Sequence, residues 1–355
     1  MITNYFLIFG IALVAAILAT PLSMILAKRW GAIDYPGGRR IHLQPIPRLG
    51  GLAIYIAFWL AVILIQGWDK QYWGLFLGST LIFLVGIWDD IRGMRPLVKF
   101  LWQSLAAIIL LFFGFGISFG SLSLFAKIST LGIYGVYLGA FLTVFWVVGL
   151  VNTVNISDGL DGLAAGICFG AALLLFWSAY RIGQVSSAAL TLALAGATLG
   201  FLFFNFHPAR VFMGDSGSMF LGYMIGGISI MGLLKTATVL GLVFPLLVLG
   251  MPLTDMVFAI IRRKWKGHSI AKADRGHLHH RLLDAGLSQR QAVFLLYIMS
   301  AFFGLAAVLL AQDYWLEGLL LLLAELLLLL YIFLRRLLWY NFFCRHLSMT
   351  GKRDK

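Results

Sequence analysis

The sequence predicts an all-α polytopic membrane protein of about eleven transmembrane helices, with its amino end outside and its carboxyl end in the cytosol. Three observations carry that expectation. Hydrophobic residues make up 61% of the chain and charged ones 12%, with a mean hydropathy of +0.94, whereas soluble globular chains hold about 25% charge. Apolar runs of about 20 residues, enough to cross a ~30 Å hydrocarbon layer, recur from end to end. The basic residues fall almost wholly in alternate gaps between those runs, which orients the chain.

Taken in order, the expected spans are Asn4–Leu26, Gly51–Gln66, Tyr72–Trp88, Phe100–Ile117, Ile133–Val151, Leu163–Tyr180, Ala188–Phe204, Ser218–Leu234, Thr238–Phe258, Ala292–Ala311 and Leu316–Leu334. Met1 to Phe6 carries no basic residue while Lys28 and Arg29 follow the first span, so an uncleaved first helix is expected rather than a signal peptide. On this scheme the outer loops keep only Lys70, Lys127, Arg181 and Lys235 of the 27 Lys and Arg residues. Residues 1–335 read as one integral membrane domain and 336–355 as a basic cytosolic tail. The two cysteines, Cys168 in a span and Cys344 in the tail, offer neither a disulfide framework nor a metal-ligand spacing.

Polar variety is confined to five inner connections, and loops on a rigid scaffold are where function concentrates. The first runs through Asp34-Tyr35-Pro36, Arg39-Arg40-Ile41-His42 and Pro47-Arg48-Leu49-Gly50-Gly51. It suits either lipid headgroups or a clamp on an anionic ligand, with Gly50-Gly51 allowing close backbone approach. The second holds Asp89-Asp90 before Arg92, Arg95 and Lys99. Adjacent aspartates raise each other's cost, so they call for a cation beyond the nearby bases. Lys99, opening the next helix, could hold a phosphate beside them.

The third is Asn152-Thr153-Val154-Asn155-Ile156-Ser157-Asp158-Gly159-Leu160-Asp161-Gly162. Its Asn152, Asn155, Asp158 and Asp161 recur at every third position, a spacing that in a helix or tight helical turn would stack all four in one column. Helix capping accounts for one or two of them, not four. In the fourth, Phe212-Met213-Gly214-Asp215-Ser216-Gly217-Ser218 places an aspartate between glycines just before a helix, either as an N-cap or as a carboxylate exposed toward an anion–metal complex. The fifth is basic and carries His277-Leu278-His279-His280. With no cysteine or glutamate alongside, that mixture suits phosphate better than zinc. His279 and His280 cannot share one helical face. Asp255, after Pro252, reads as a partner of this loop or as a cap at a kink, and Glu325 as a protonated or interhelically bonded structural acid deep in the last span.

Several aspartates, two asparagines, many bases and no serine–histidine–acid set suit metal-assisted phosphoryl transfer between a membrane-anchored phosphate and a cytosolic nucleotide. Two phosphate anions at ~4 Å repel by about 4 kcal/mol per unit-charge pair at an effective dielectric near 20, so counter-cations are necessary. The five motifs in this order resemble the polyprenyl-phosphate N-acetylhexosamine-1-phosphate transferase family, over the whole chain. The resemblance implies transfer of GlcNAc-1-phosphate from UDP-GlcNAc to undecaprenyl phosphate with release of UMP, Mg²⁺ as cofactor with Mn²⁺ as a substitute, and a cytosol-facing site in a bacterial inner membrane. It implies Asn155 and Asp215 as metal ligands and Asp89, Asp90 and Lys99 as catalytic residues at the lipid phosphate. It implies Arg48, Asn152, Asp158, Asp161, Phe212, His277, His279 and His280 as substrate-binding, with Asp158, Asp161 and Phe212 around the uridine and the histidines toward the diphosphate and sugar. The product would start a lipid-linked cell-envelope glycopolymer of the teichoic-acid or lipopolysaccharide kind. A homodimer fits and a nucleic-acid partner does not. UDP-MurNAc-pentapeptide or a modified hexosamine as donor stays open. A transporter is disfavoured because the acids cluster at one margin rather than at the midplane, and a CDP-alcohol phosphotransferase because Gly162 to Tyr180 lacks the further aspartates it would need.

Overall fold

The computed structural model describes residues 2–36, 44–66, 68, 70–117, 133–232, 244, 246–265, 267 and 276–350; of residues 2, 70, 71 and 333–350 it describes the backbone alone. Arg39, Arg40 and His42 of the first loop, Lys127 and Lys235 of the outer connections, most of the basic fifth loop and the opening of the ninth expected span lie outside the described residues.

Twelve helices are described: α1 (Ile2–Trp30), α2 (Gly50–Gln66), α3 (Lys70–Arg92), α4 (Pro96–Phe112), α5 (Ile133–Ser157), α6 (Leu163–Arg181), α7 (Val185–Asn205), α8 (Gly214–Gly232), α9 (Gly250–Trp265), α10 (Leu278–Asp284), α11 (Gln289–Ala311) and α12 (Trp315–Thr350). Seven of them, α1, α3, α5, α6, α7, α11 and α12, contain a stretch long and apolar enough to cross a membrane, while α2 and α4 are shorter apolar helices of 17 residues each. Local chemistry sets several boundaries. Pro96 opens α4 at a position whose N–H needs no partner. Ser288 and Gln291 form a reciprocal capping box at the start of α11.

The centre of the bundle is α8, which packs against α2, α3, α5, α6 and α7 and is buried along nearly its whole length. A helix apolar on every face belongs in such a place. Small residues let the neighbours close in. The Gly222 and Gly226 side of α8 meets Val151 and Val147 of α5, and Gly196 and Gly200 of α7 lie on the α1 backbone beside Ala12 and Ala16. Both are four-residue small-residue spacings of the kind that brings membrane helices into close contact. The only strands among the described residues are β1 (Ile33–Asp34) and β2 (Ile46–Pro47), an antiparallel pair with Ile33 opposite Pro47 that ties the two ends of the first inner loop.

One expectation needs correcting. The four-residue polar column does not form, because α5 ends at Ser157: Asn152 and Asn155 lie in its last two turns, whereas Asp158 and Asp161 fall in the turn that follows. The cause is Asp-Gly punctuation, with Gly162 in the left-handed region at φ 78°. The last helix extends beyond the expected end of its span at Leu334 to Thr350. Glu325 faces inward in the buried row Gly318, Glu325 and Leu329 of α12, which packs on α11, yet its Oε2 has no hydrogen-bond partner among the described residues, so the expected interhelical bond is not made through that oxygen.

Candidate active site

One end of α8 gathers residues from five separate stretches of chain. Gly214, at φ +74°, begins the helix, and Asp215 sits in its first turn. The free N–H groups of that turn are capped from outside by Asp90 of α3: Oδ1 accepts from Asp215 N at 2.7 Å and Oδ2 from Ser216 N at 3.0 Å. Asp215 is therefore not an N-cap, and its own carboxylate is turned outward to a ring of partners. Arg48 reaches Asp215 Oδ2 at 2.8 Å and Asp90 Oδ1 at 3.2 Å. Lys99, in the second turn of α4, lies 2.9 Å from Asp215 Oδ1 and pairs also with Asp89. The Asn155 amide donates to the same Asp215 Oδ1 at 2.5 Å and to Ser218 Oγ at 2.9 Å.

The backbone around this cluster is rigid. The segment before α2 pairs with the segment before α8: Phe212 N–H donates to Pro47 O, Gly50 N–H to Phe212 O and Gly51 N–H to Met213 O. Gly51 of α2 and Gly86 of α3 then lie directly on the α8 backbone at Gly217 and Ser216, leaving no room for a Cβ at either. The paired glycines of the first loop thus serve the approach of one helix to another.

Charge at the site is dense. Burial alone would lower the Arg48 guanidinium, but the carboxylates of Asp90 and Asp215, with Asp34 and Asp158 behind them, hold it above its ordinary value. Burial pushes Asp158 up to about 7, with Arg48 pulling it down and Asp215 and Asp161 adding to the rise.

Two further groups flank the cluster. Asp255 of α9 accepts from Leu278 N–H at 2.8 Å, capping α10, and its other oxygen lies 3.1 Å from His277 Nδ1. The rings of His277 and His279 lie parallel with centroids 5.8 Å apart, and His279 rests against Gly159 of the third loop. Burial and then the neighbouring His280 lower His279 to about 3, so it is a neutral imidazole near pH 7. On the other side Asp161 Oδ2 accepts from Ala209 N–H at 3.1 Å and lies 2.7 Å from His207 Nδ1, while Asn205 joins Gly162 N–H to Val211 O. The third and fourth inner loops are hydrogen-bonded into one body.

Two carboxylates, those of Asp89 and Asp215, meet at the end of α8, with the Asn155 amide beside them and its nitrogen turned to Asp215. No three His, Cys, Asp or Glu side chains form a metal cage among the described residues. The set therefore suits a divalent ion that completes its shell with substrate oxygens and water, as Mg²⁺ usually does.

Residues 72–233 match the model of glycosyl transferase family 4. The chain is 38% identical over 312 residues to a probable undecaprenyl-phosphate N-acetylglucosaminyl 1-phosphate transferase of Bacillus subtilis, covering 87% of this chain and 86% of that protein. It is 37% identical to the decaprenyl-phosphate N-acetylglucosaminephosphotransferase of Mycolicibacterium smegmatis, over 81% of this chain and 78% of the relative. It is 30% identical to the undecaprenyl-phosphate alpha-N-acetylglucosaminyl 1-phosphate transferase of Escherichia coli K12, over 78% and 75%. The chain belongs to the polyprenyl-phosphate N-acetylhexosamine-1-phosphate transferase family.

As a member of that transferase family it is a phosphotransferase, and its expected site residues separate into three sets. Asp89, Lys99, Arg48, Asn155 and Asp215 converge, with Asp90 and Asp158 immediately behind them. His277, His279 and His280 form a second group of adjoining rings, of which His279 lies against Gly159 of the third loop. Asn152 and Asp161 do not join either: Asn152 donates to Gln103 Oε1 at 2.7 Å and to Val148 O, and Asp161 is engaged by His207 and Ala209. Asp255 is the partner of the fifth loop rather than a cap at a kink. Sequence reasoning passed over Gln103, Ser218, His207 and Asn205. For His207 and Asn205 the signal was there, since both are polar residues at the end of an apolar span. Gln103 and Ser218 lie inside helices, and no spacing tied them to residues 49 and 63 positions away.

Proposed function

We propose that this transferase moves GlcNAc-1-phosphate from UDP-GlcNAc to undecaprenyl phosphate, releasing UMP, with Mg²⁺ (or Mn²⁺) bound by Asp89, Asn155 and Asp215. The names of the relatives support the sugar and the polyprenyl phosphate. The observation that carries the reading is the convergence of Arg48, Lys99 and Asn155, from three separate stretches of chain, on the Asp215 carboxylate at one end of the bundle, with Asp90 holding the backbone beneath it. The same reading has eleven spans, the amino end outside and the site on the cytosolic face of a bacterial inner membrane, because nearly all basic residues then lie inside.

In this site Lys99 and Arg48 receive the phosphate oxygens, and Asp89 orients the acceptor so that a lipid phosphate oxygen faces the β-phosphorus of the donor. The new phosphorus–oxygen bond forms as the bond to the bridging oxygen breaks, and that oxygen leaves with UMP. When bound, the divalent ion would neutralise charge on the diphosphate. Asp90 acts by holding the α8 terminus, not by touching substrate. Asp158 faces the nucleoside, and the neutral His279 offers a hydrogen bond without adding charge. Direct attack is sufficient, since phosphoryl transfer needs chiefly positioning and charge stabilisation.

The test is to incubate purified protein with undecaprenyl phosphate, Mg²⁺ and a panel of UDP-sugars, and to score UMP. UDP-GlcNAc should give the highest rate, and Asp215→Ala should abolish release while keeping its detergent melting profile. Release of UMP by that variant at a near-normal rate would remove the metal assignment.

A further inference from the structure

We infer that Lys99 is an internal counter-ion standing where the divalent cation must enter, and that a phosphate oxyanion draws it away, so that metal and acceptor phosphate bind with positive coupling. This rests on the reading of the site given above and adds an order of events to it.

The two carboxylates best placed for a metal are Asp89 and Asp215, and one ammonium bridges them: Lys99 Nζ pairs with Asp89 and lies 2.9 Å from Asp215 Oδ1. The other oxygen of Asp215 is held by Arg48. A dication and an ammonium cannot share the gap between Asp89 and Asp215, because they repel at contact distance in a half-buried setting. One of the two bases has to leave, and the structure distinguishes them. Arg48 is doubly anchored, through Nε to the fully enclosed Asp90, which itself caps α8; moving it would release the helix terminus. Lys99 has no such second duty. It is a flexible four-carbon stem from the second turn of α4, its partners are the two carboxylates alone among the described residues, and its side chain keeps 19% exposure toward the open side.

The Asn155 amide points the same way. It now donates through Nδ2 to Asp215 Oδ1, the oxygen that Lys99 also holds. Its oxygen can meet a metal only after the amide turns over, and a cation on Asp215 favours that turn. Once Lys99 leaves, it needs a new anion, and an incoming phosphate supplies one within reach of the same stem. The phosphate stabilises the displaced lysine, and the displaced lysine vacates the metal position. By linkage each ligand must then raise the affinity of the other. Attraction between metal and phosphate adds to the coupling by itself, but a lysine that merely bridges two structural acids predicts no dependence of the coupling on Lys99.

The experiment measures Mn²⁺ binding to the purified full-length protein in detergent by electron paramagnetic resonance of free Mn²⁺. Titrations are made alone, with undecaprenyl phosphate, with inorganic phosphate and with uncharged undecaprenol, for wild type, Lys99→Gln, Lys99→Arg and Asp215→Asn. Wild type should bind Mn²⁺ at least about tenfold more tightly with undecaprenyl phosphate than without, corresponding to about 1.4 kcal/mol of coupling, and undecaprenol should have no effect. An equal gain from inorganic phosphate assigns the effect to the oxyanion alone; a gain only from the lipid assigns it to the acceptor, and either supports the exchange. Lys99→Gln should bind Mn²⁺ about tenfold more tightly than wild type in the absence of phosphate and gain little from it, and Lys99→Arg should keep the weak basal binding. Equal Mn²⁺ affinity of wild type and a folded Lys99→Gln, or undiminished phosphate coupling in it, overturns the exchange while leaving the metal site intact. Should Lys99→Gln not fold, absence of phosphate coupling in wild type overturns it alone. Unchanged Mn²⁺ binding in Asp215→Asn would instead remove the metal site, and the inference with it.

Discussion

Asp90 is tied to this site through the helix start that it caps. Its side chain is fully enclosed, and both oxygens are taken by the first N–H groups of α8 and by Arg48. Truncation leaves buried donors unpaired, at roughly 1–3 kcal/mol. Asp90→Ala should therefore lower the detergent melting temperature and the turnover together, and Asp90→Asn, which keeps one acceptor, should recover part of both. Asp158 makes a second prediction, in pH. Because burial raises it to about 7 from an ordinary value of 3.8, the folded protein holds this proton more tightly than the unfolded chain. The stabilisation is thus complete below about pH 3.8 and is lost as pH rises through 7, at up to about 1.4 kcal/mol per pH unit. Melting temperatures between about pH 5 and 7, without metal or substrate, should fall more steeply for wild type than for Asp158→Asn; parallel slopes would show that Asp158 does not titrate there.

Among the elements, α8 decides where chemistry can happen, because its first turn carries Asp215 and glycines on it and on its neighbours let α2, α3 and α5 close in. Gly51 and Gly86 press on its backbone from two sides. Gly51→Ala places a methyl group against Gly217, and overpacking of this kind costs about 1–3 kcal/mol. Because the strain falls on the turn that aims Asp215, turnover should drop by more than the loss of stability explains, with folded fraction and kcat measured on the same preparation. Gly196 and Gly200 of α7, packed on α1 rather than on α8, provide the contrast: a methyl group there should affect melting alone. Small residues are legible in the sequence as small, but which helix each admits is not.

At the scale of the whole molecule, every expected site motif that lies among the described residues sits at an end of a helix or in a short connection, and the bundle brings those ends together. The proposed orientation rests on charge rather than on packing. With Cys168 and Cys344 replaced by alanine, a membrane-impermeant thiol reagent on intact cells should label Gln312→Cys, between α11 and α12, and spare Ala285→Cys, just after α10, until the membrane is opened. The reverse labelling would invert the topology and put the site outside.

What composition and motif order determined by themselves was the membrane class, the approximate place of the helices, the enzyme family and the set of polar residues from which the site is drawn. These are local properties: hydropathy over about 20 residues, glycine breaks, and residue types at fixed offsets. Only the tertiary structure decided that the Asn152–Asp161 series divides among four sets of partners, that Asp90 is a helix cap, that Asp161 staples one loop to another, and that a lysine bridges Asp89 and Asp215. Those facts depend on which helix ends meet across separations such as the 116 positions between Lys99 and Asp215 or the 125 between Asp90 and Asp215. Packing of small residues along α8, not any spacing in the chain, is what brings them within hydrogen-bonding distance.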